Sequence, residues 1–205
     1  MLARQFARPT GWIGRRLIAP WLNRISREMN RLSLERLDVQ PDDAVLEIGF
    51  GGGDLLRALL AGRPGRVFGV DVSQAMVERA RQRFRGAGER LRLFEASAER
   101  LPLADAAVDK AVSVNSLYFW PDPAAAMAEL ARVIRRGGRL VLCFEPPEEL
   151  RKWPGHRFGF QLHSARDLVV LAGAAGFGDP QMVQGVGRKP DRFLCLSLER
   201  LGAID

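Results

Sequence analysis

Val45-Leu46-Glu47-Ile48-Gly49-Phe50-Gly51-Gly52-Gly53-Asp54-Leu55-Leu56 is the stretch on which the reading of this chain turns. A short apolar run reads as a buried strand, a glycine-rich turn follows it, and a helix begins. Gly49, Gly51 and Gly53 allow a tight backbone turn with no Cβ to hold off a ligand. This is the first strand, loop and helix of a nucleotide-binding α/β sheet.

A dinucleotide fingerprint asks for glycine at the first, third and sixth positions of the turn. Counted from Gly49, the sixth position is Asp54, where a pyrophosphate would meet the helix N-terminus. Glu47 adds a second carboxylate just before the loop. Two acids there repel phosphate and suit a cation. S-adenosylmethionine (SAM) lacks phosphate and carries a sulfonium and an ammonium.

Glu47-Ile48-Gly49-Phe50-Gly51-Gly52-Gly53 resembles motif I of the class I SAM-dependent methyltransferases. Over about residues 40 to 146 the chain is similar to the type 11, ubiquinone/menaquinone-biosynthesis-like methyltransferase domain. The resemblance implies a Rossmann-like α/β fold: a seven-stranded mixed sheet with an antiparallel C-terminal strand pair and helices on both faces. It implies SAM as cofactor, with Glu47, Gly49, Phe50, Gly51 and Gly53 in the first motif. Asp71 closes the second strand-like run, 66 to 71. There its carboxylate can accept from both ribose hydroxyls, or cap the next helix. Val72 and Met76 follow where the family packs residues near the ribose and adenine, and Met76 equally suits the core. Ser97-Ala98-Glu99 precedes Leu101-Pro102, as an Asp-Ala-Glu-like triplet does in the family. Ser97 replaces the Asp, so adenine would meet a hydroxyl in place of a charge. Asn115, after the fourth strand (107 to 114), corresponds to a position beside the cofactor.

Asn115-Ser116-Leu117-Tyr118-Phe119-Trp120 stands at the carboxyl end of a parallel strand, the edge that holds ligands in open sheets. Tyr118, Phe119 and Trp120 read as an acceptor wall, or as the core face of the next helix. The irregular stretch 146 to 163 adds Trp153, Phe160 and His163 to that pocket. His163, His156 and Tyr118 are the candidate bases, with Glu145 behind them. A base is needed only for an acceptor that arrives protonated.

The remaining elements read in order. Helices are expected over about 53 to 62, 73 to 85 and up to Arg135. Strands are expected over 91 to 95, 140 to 144, 179 to 186 and 191 to 198, with Arg135 to Arg139 turning into the fifth strand. A further helix opens at Ser164-Ala165-Arg166-Asp167.

Residues 1 to 40 form a basic arm with an amphipathic helix from about Pro20 to Leu37, a lid or cap on a domain spanning 41 to 205. The arm holds eight arginines and three acids, +5 of the chain's net +7. Trp21, Leu22, Ile25, Met29 and Leu32 share one helix face; Arg24, Arg27, Asn30 and Arg31 lie largely opposite. That helix either packs on the sheet with a solvated basic side, covers the cleft, or meets anionic lipid or an acidic substrate.

No apolar run is long enough to span a membrane. Cys143 and Cys195 sit in separate strand-like runs, so free thiols of a cytoplasmic protein are expected. With two histidines and two separated cysteines, no metal site is expected.

The expected activity is methyl transfer from SAM to a small apolar or aromatic acceptor. Nucleic acid is disfavoured as substrate. The chain lacks the Asn/Asp-Pro-Pro-aromatic segment of many amino-methylating nucleic-acid enzymes and a Pro-Cys nucleophile. The alternatives are an RNA or protein methyltransferase anchored by the arginine arm, and a non-catalytic SAM-binding protein. A nicotinamide oxidoreductase fits Asp54 poorly. Oligomeric state is not legible in the sequence.

Overall fold

The computed structural model describes residues 26–152, 160–187 and 192–201. The helices are α1 (Arg27–Leu37), α2 (Asp54–Ala61), α3 (Gln74–Arg83), α4 (Pro123–Val133), α5 (Pro147–Leu150) and α6 (Ala165–Ala174). The strands are β1 (Ala44–Ile48), β2 (Arg66–Asp71), β3 (Leu91–Glu95), β4 (Val108–Val114), β5 (Ile134–Phe144), β6 (Phe177–Val186) and β7 (Arg192–Arg200).

Every residue of β1 after Ala44 is buried. That is the signature of a parallel strand with helices on both faces. Alternation along it sends Val45 into one core cluster and Leu46 and Ile48 into the other. Glu47 therefore faces the side of Val45, and it is 4% exposed. A carboxylate in a strand that otherwise buries only aliphatic groups contradicts the local pattern, and such contradictions mark function.

Among the described residues the strands form one seven-stranded sheet in the order β3-β2-β1-β4-β5-β7-β6. β1 pairs in parallel with β2 and β4, β2 with β3, and β4 with β5. β7 runs antiparallel to both β5 and β6, because the short connection between β6 and β7 leaves no room for a crossover. The mixed sheet expected from the sequence is thus the sheet found. The chain builds β2 and β3 outward on one side of β1, then returns to build β4 and β5 on the other. The carboxyl ends of β1 and β4 meet at this reversal, where open α/β sheets hold their ligands.

One face is covered by α4 and α6, the other by α1, α2 and α3. α4 starts at Pro123 behind an Asp122 cap that accepts from the Ala125 amide. α6 starts in a reciprocal capping box between Ser164 and Asp167. α1 buries Met29, Ser33 and Leu37 and lies against β4, β5 and β7. Arg27 and Arg31 face solvent. Arg36 reaches Gln181 Oε1 at 2.5 Å and Ser197 Oγ at 3.1 Å. The packed arrangement with a solvated basic side is the one seen for this part of the helix. Residues 1–25, with Trp21, Leu22 and Ile25, lie outside the described residues.

Two boundaries differ from the expected ones. α4 ends at Val133, and β5 begins at Ile134 rather than Leu140. Val108 pairs with Ile134 and Lys110 with Arg139, so five residue steps of β5 bulge past two of β4. Gly137 (φ 71°) makes the bulge. The stretch expected to be irregular after β5 opens with one helical turn, α5. Its Glu149 is buried and ion-paired to Lys152 at 2.5 Å and Arg192 at 3.2 Å.

Cys143 and Cys195 stand directly opposite each other across β5 and β7. Both are buried free thiols, and burial pushes the Cys143 thiol up.

Candidate cofactor and acceptor site

The loop after β1 is built from both flanks of the sheet. The Gly49 amide donates to the Val70 carbonyl of β2 at 2.7 Å, and the Gly53 amide donates to the Phe50 carbonyl at 2.8 Å. Gly49, Gly51 and Gly53 all have positive φ, 73°, 47° and 76°. At Gly49 crowding adds to conformation, since a Cβ would lie 2.3 Å from Ser116 Cβ. Ser116 is thereby a site residue that sequence reading passed over. Its hydroxyl lies 2.5 Å from Ser113 Oγ and 3.2 Å from the Ile48 carbonyl, stitching the ends of β1 and β4 together. Nothing in a lone serine after Asn115 signals that role.

Three carboxylates border the loop. Asp71 is 7% exposed; it accepts from the Gly51 amide at 2.8 Å and the Ser73 amide at 2.9 Å. Burial outweighs those two bonds and pushes its carboxyl up to about 6. Glu47 is held well above the usual carboxylate range by burial first, then by the charges of Asp71 and Asp54. Its Oε2 is buried and has no hydrogen-bond partner. Asp54 opens α2 and is ion-paired to Arg83 at 2.9 Å.

These features fit SAM. A buried, unpartnered carboxylate oxygen suits a cationic donor such as the methionine ammonium. At Gly51 an added Cβ would find only the Gly49 carbonyl, at 4.0 Å, so the face of the loop is open. Glu47, Asp71 and the glycine backbone would hold the group, which supplies an electrophilic methyl on sulfur.

The other expected cofactor residues separate by side chain. Phe50, Met76 and Ala98 are 4%, 2% and 4% exposed and belong to the core clusters. Phe50 packs beneath Gly69, so what it offers the loop is backbone. Val72, Ser97 and Glu99 are half-buried, with Glu99 Oε1 3.4 Å from the Asp122 amide. Asn115 adopts the left-handed conformation (φ 53°) at the end of β4. Its side-chain amide donates to Ser26 Oγ at 3.2 Å, tying α1 to the sheet edge.

Of the expected acceptor wall, the structure brings together Tyr118, Phe119 and Phe160. Tyr118 stacks on Phe160 with centroids 5.6 Å apart and planes 7° from parallel. Phe119 meets Phe160 edge-on at 4.8 Å. Tyr118 and Trp120 are both buried, 3% and 4% exposed, among the core residues under α4; Phe119 and Phe160 are the half-buried members of the wall. Trp153 and His156 lie outside the described residues.

Tyr118 does not suit the role of base. Its hydroxyl accepts from the Glu145 amide at 2.5 Å and donates to Asn115 Oδ1 at 3.0 Å. Burial, and then the Glu145 charge, raise its phenol well above the ordinary value. It pins the end of β4 to the end of β5. His163 is different. Its Nε2 is buried without a partner, and burial lowers its basicity, opposed by the charge of Asp167. A neutral imidazole with a free ring nitrogen can take a proton.

A mostly parallel sheet closed by an antiparallel strand, with an acidic glycine loop at its reversal point, is the arrangement of the class I SAM-dependent methyltransferase fold. Residues 46–142, a little under half of the chain, match the family model described as "Methyltransferase domain", type 11. "Uncharacterized methyltransferase YdaC" of Bacillus subtilis is 28% identical over 177 residues, 85% of this chain and 93% of that protein. The demethylmenaquinone methyltransferase of Thermus thermophilus is 33% identical over 132 residues, 63% of this chain and 58% of that protein. A solved structure of geranyl diphosphate methyltransferase in complex with SAM superposes with a TM-score of 0.71 at 20% identity, over 85% of each chain. The chain spans 34–58% of the curated relatives that are 32–41% identical to it.

Proposed function

We propose that this protein moves the methyl group of SAM to a small apolar or aromatic acceptor, in a cytoplasmic, thiol-reducing compartment. The observation that carries the acceptor class is the stacked Tyr118, Phe160 and Phe119 cluster at the carboxyl edge, beside the Asn115 turn. Aromatic faces favour flat or apolar ligands and offer little to a phosphate backbone. The Thermus relative, which shares a third of its aligned residues, is named for a demethylated quinone, an acceptor of that kind.

In this reading Glu47 takes the methionine ammonium and Asp71 the ribose hydroxyls. Ser97, Ala98 and Glu99 border the adenine, and Asn115 stands beside the sulfonium. The chain's work is to hold the acceptor atom in line with the methyl and to exclude water. His163 takes the proton where the acceptor is a hydroxyl or an acidic carbon.

The test is incubation of the full chain with methyl-labelled SAM and extract of its source organism. The extract is then partitioned into organic, aqueous and macromolecular fractions. Label is expected in the organic or small-molecule fraction, falling at least about tenfold with Phe160→Ala at limiting acceptor, a loss of the size expected for one stacked ring. Label in RNA or protein would overturn the acceptor class.

A further inference from the structure

The glycine loop is gripped from a second direction, by the C-terminal end of α3. Arg83, the last residue of that helix, sends one guanidinium nitrogen to the Gly52 carbonyl at 2.5 Å and another to Asp54 Oδ1 at 2.9 Å. Its guanidinium also lies 5.2 Å from the centroid of the Phe84 ring. Phe84 in turn presses on the loop, for a Cβ at Gly53 would come within 2.9 Å of its Cε2.

We propose that Arg83 is a positioning residue for the SAM loop, a clamp that fixes Gly52 and Asp54 from the outer side while Asp71 fixes Gly51 from the inner side. The inference rests on the cofactor reading above.

Three observations carry it beyond an ordinary surface ion pair, which contributes little. The guanidinium makes two bonds to residues two apart in one loop, a planar fork that an ammonium cannot reproduce. Four of the five loop residues 49–53 are glycines, three of them at positive φ, and glycine has the most conformational freedom to lose on ordering. And α3 is capped by Ser73, whose amide donates to Asp71, so one rigid helix sets both the ribose end of the site and the loop. Preorganising a loop raises affinity by lowering the ordering cost at binding.

The experiment uses the full chain. SAM dissociation constants are measured by calorimetry for wild type, Arg83→Met and Arg83→Lys, beside thermal melting and amide hydrogen exchange. Methionine keeps an apolar stem over Phe84 and removes the fork. Arg83→Met is expected to raise the SAM Kd about tenfold, the equivalent of one charge-assisted hydrogen bond. It should speed exchange at Gly53 and Leu55 and leave the α3 amides Val77 to Ala80 protected. Arg83→Lys should recover part of the affinity. A purely structural role would shift melting and α3 exchange together, with the Kd unmoved. Wild type that binds SAM beside an Arg83→Met variant of equal affinity would overturn the clamp alone. Wild type that takes up no SAM would overturn the cofactor reading, and the clamp with it.

Discussion

Asp71 is under two opposed demands. Its two backbone donors favour the charged form, and its burial opposes it. Burial wins in the free protein, with the carboxyl raised from 3.8 to about 6. The native state therefore holds this proton more tightly than the unfolded chain does. The group's contribution is greatest below about pH 4, and it is lost as pH rises to about 6, by roughly 3 kcal/mol in all. Asp109, Glu129 and Asp167 are lowered and act in the opposite direction, so the comparison must be with a variant. Asp71→Asn should show a smaller fall, or a steeper rise, in stability than wild type between pH 4 and 6.5, measured by urea denaturation. Identical pH slopes in the two proteins would place the titration elsewhere. Gly49→Ala is the corresponding steric test. A side chain there is strained at φ 73° and meets Ser116 Cβ at 2.3 Å. A loss of roughly 3 kcal/mol is expected from strain and overpacking together, read as a lower denaturation midpoint.

At the scale of elements, the turn Leu117–Phe119 joins the ends of β4 and β5 through the Tyr118 hydroxyl. Tyr118→Phe keeps the stack on Phe160 and removes both bonds. It should cost about 1–3 kcal/mol, because the Glu145 amide loses its acceptor, and leave the pH profile of methyl transfer unmoved. His163→Gln should instead reduce turnover with a protonated acceptor by about 100-fold or more. It should also abolish the acidic limb, which in wild type lies below the ordinary histidine value because burial lowers this imidazole. Equal profiles for wild type and His163→Gln would remove His163 from the reaction. What could be read in advance follows the same division. β1 and β2 were legible because a buried strand is a continuous apolar run closed by a turn, β3 because a short apolar-rich run follows a glycine break, and Glu47 stood out against that background. The β5 bulge was not. It depends on Val108 pairing with Ile134, a contact between strands that no local pattern encodes. The burial of Tyr118 and Trp120 was not legible for a related reason: their direction follows from three residues of tight turn, and an aromatic after a strand end suits wall and core equally.

At the scale of the molecule, the acidic loop and the aromatic turn leave the carboxyl ends of the neighbouring strands β1 and β4 at the reversal point of the sheet, and α1 reaches that edge through Ser26 and Asn115. Arg83 shows the limit of sequence reading at this scale. It is one arginine among several on a helix, and only the tertiary arrangement brings it to Gly52 and Asp54. Ser33 of α1 is buried above the sheet, on the face that carries Cys143 and Cys195. Both thiols should resist alkylation in the folded protein and react on unfolding, counted by mass spectrometry; modification of the native protein at either would contradict the packing. The claim on which the account turns is that the loop after β1 receives the cation of SAM and not a phosphate. Titration calorimetry with SAM and with NADH, on wild type, Glu47→Gln and Asp71→Asn at pH 7.5, tests it directly. The account predicts one SAM per wild-type chain, affinity reduced at least about tenfold in each variant, and no NADH uptake. Tight NADH binding by wild type, or SAM binding indifferent to both carboxylates, would contradict it.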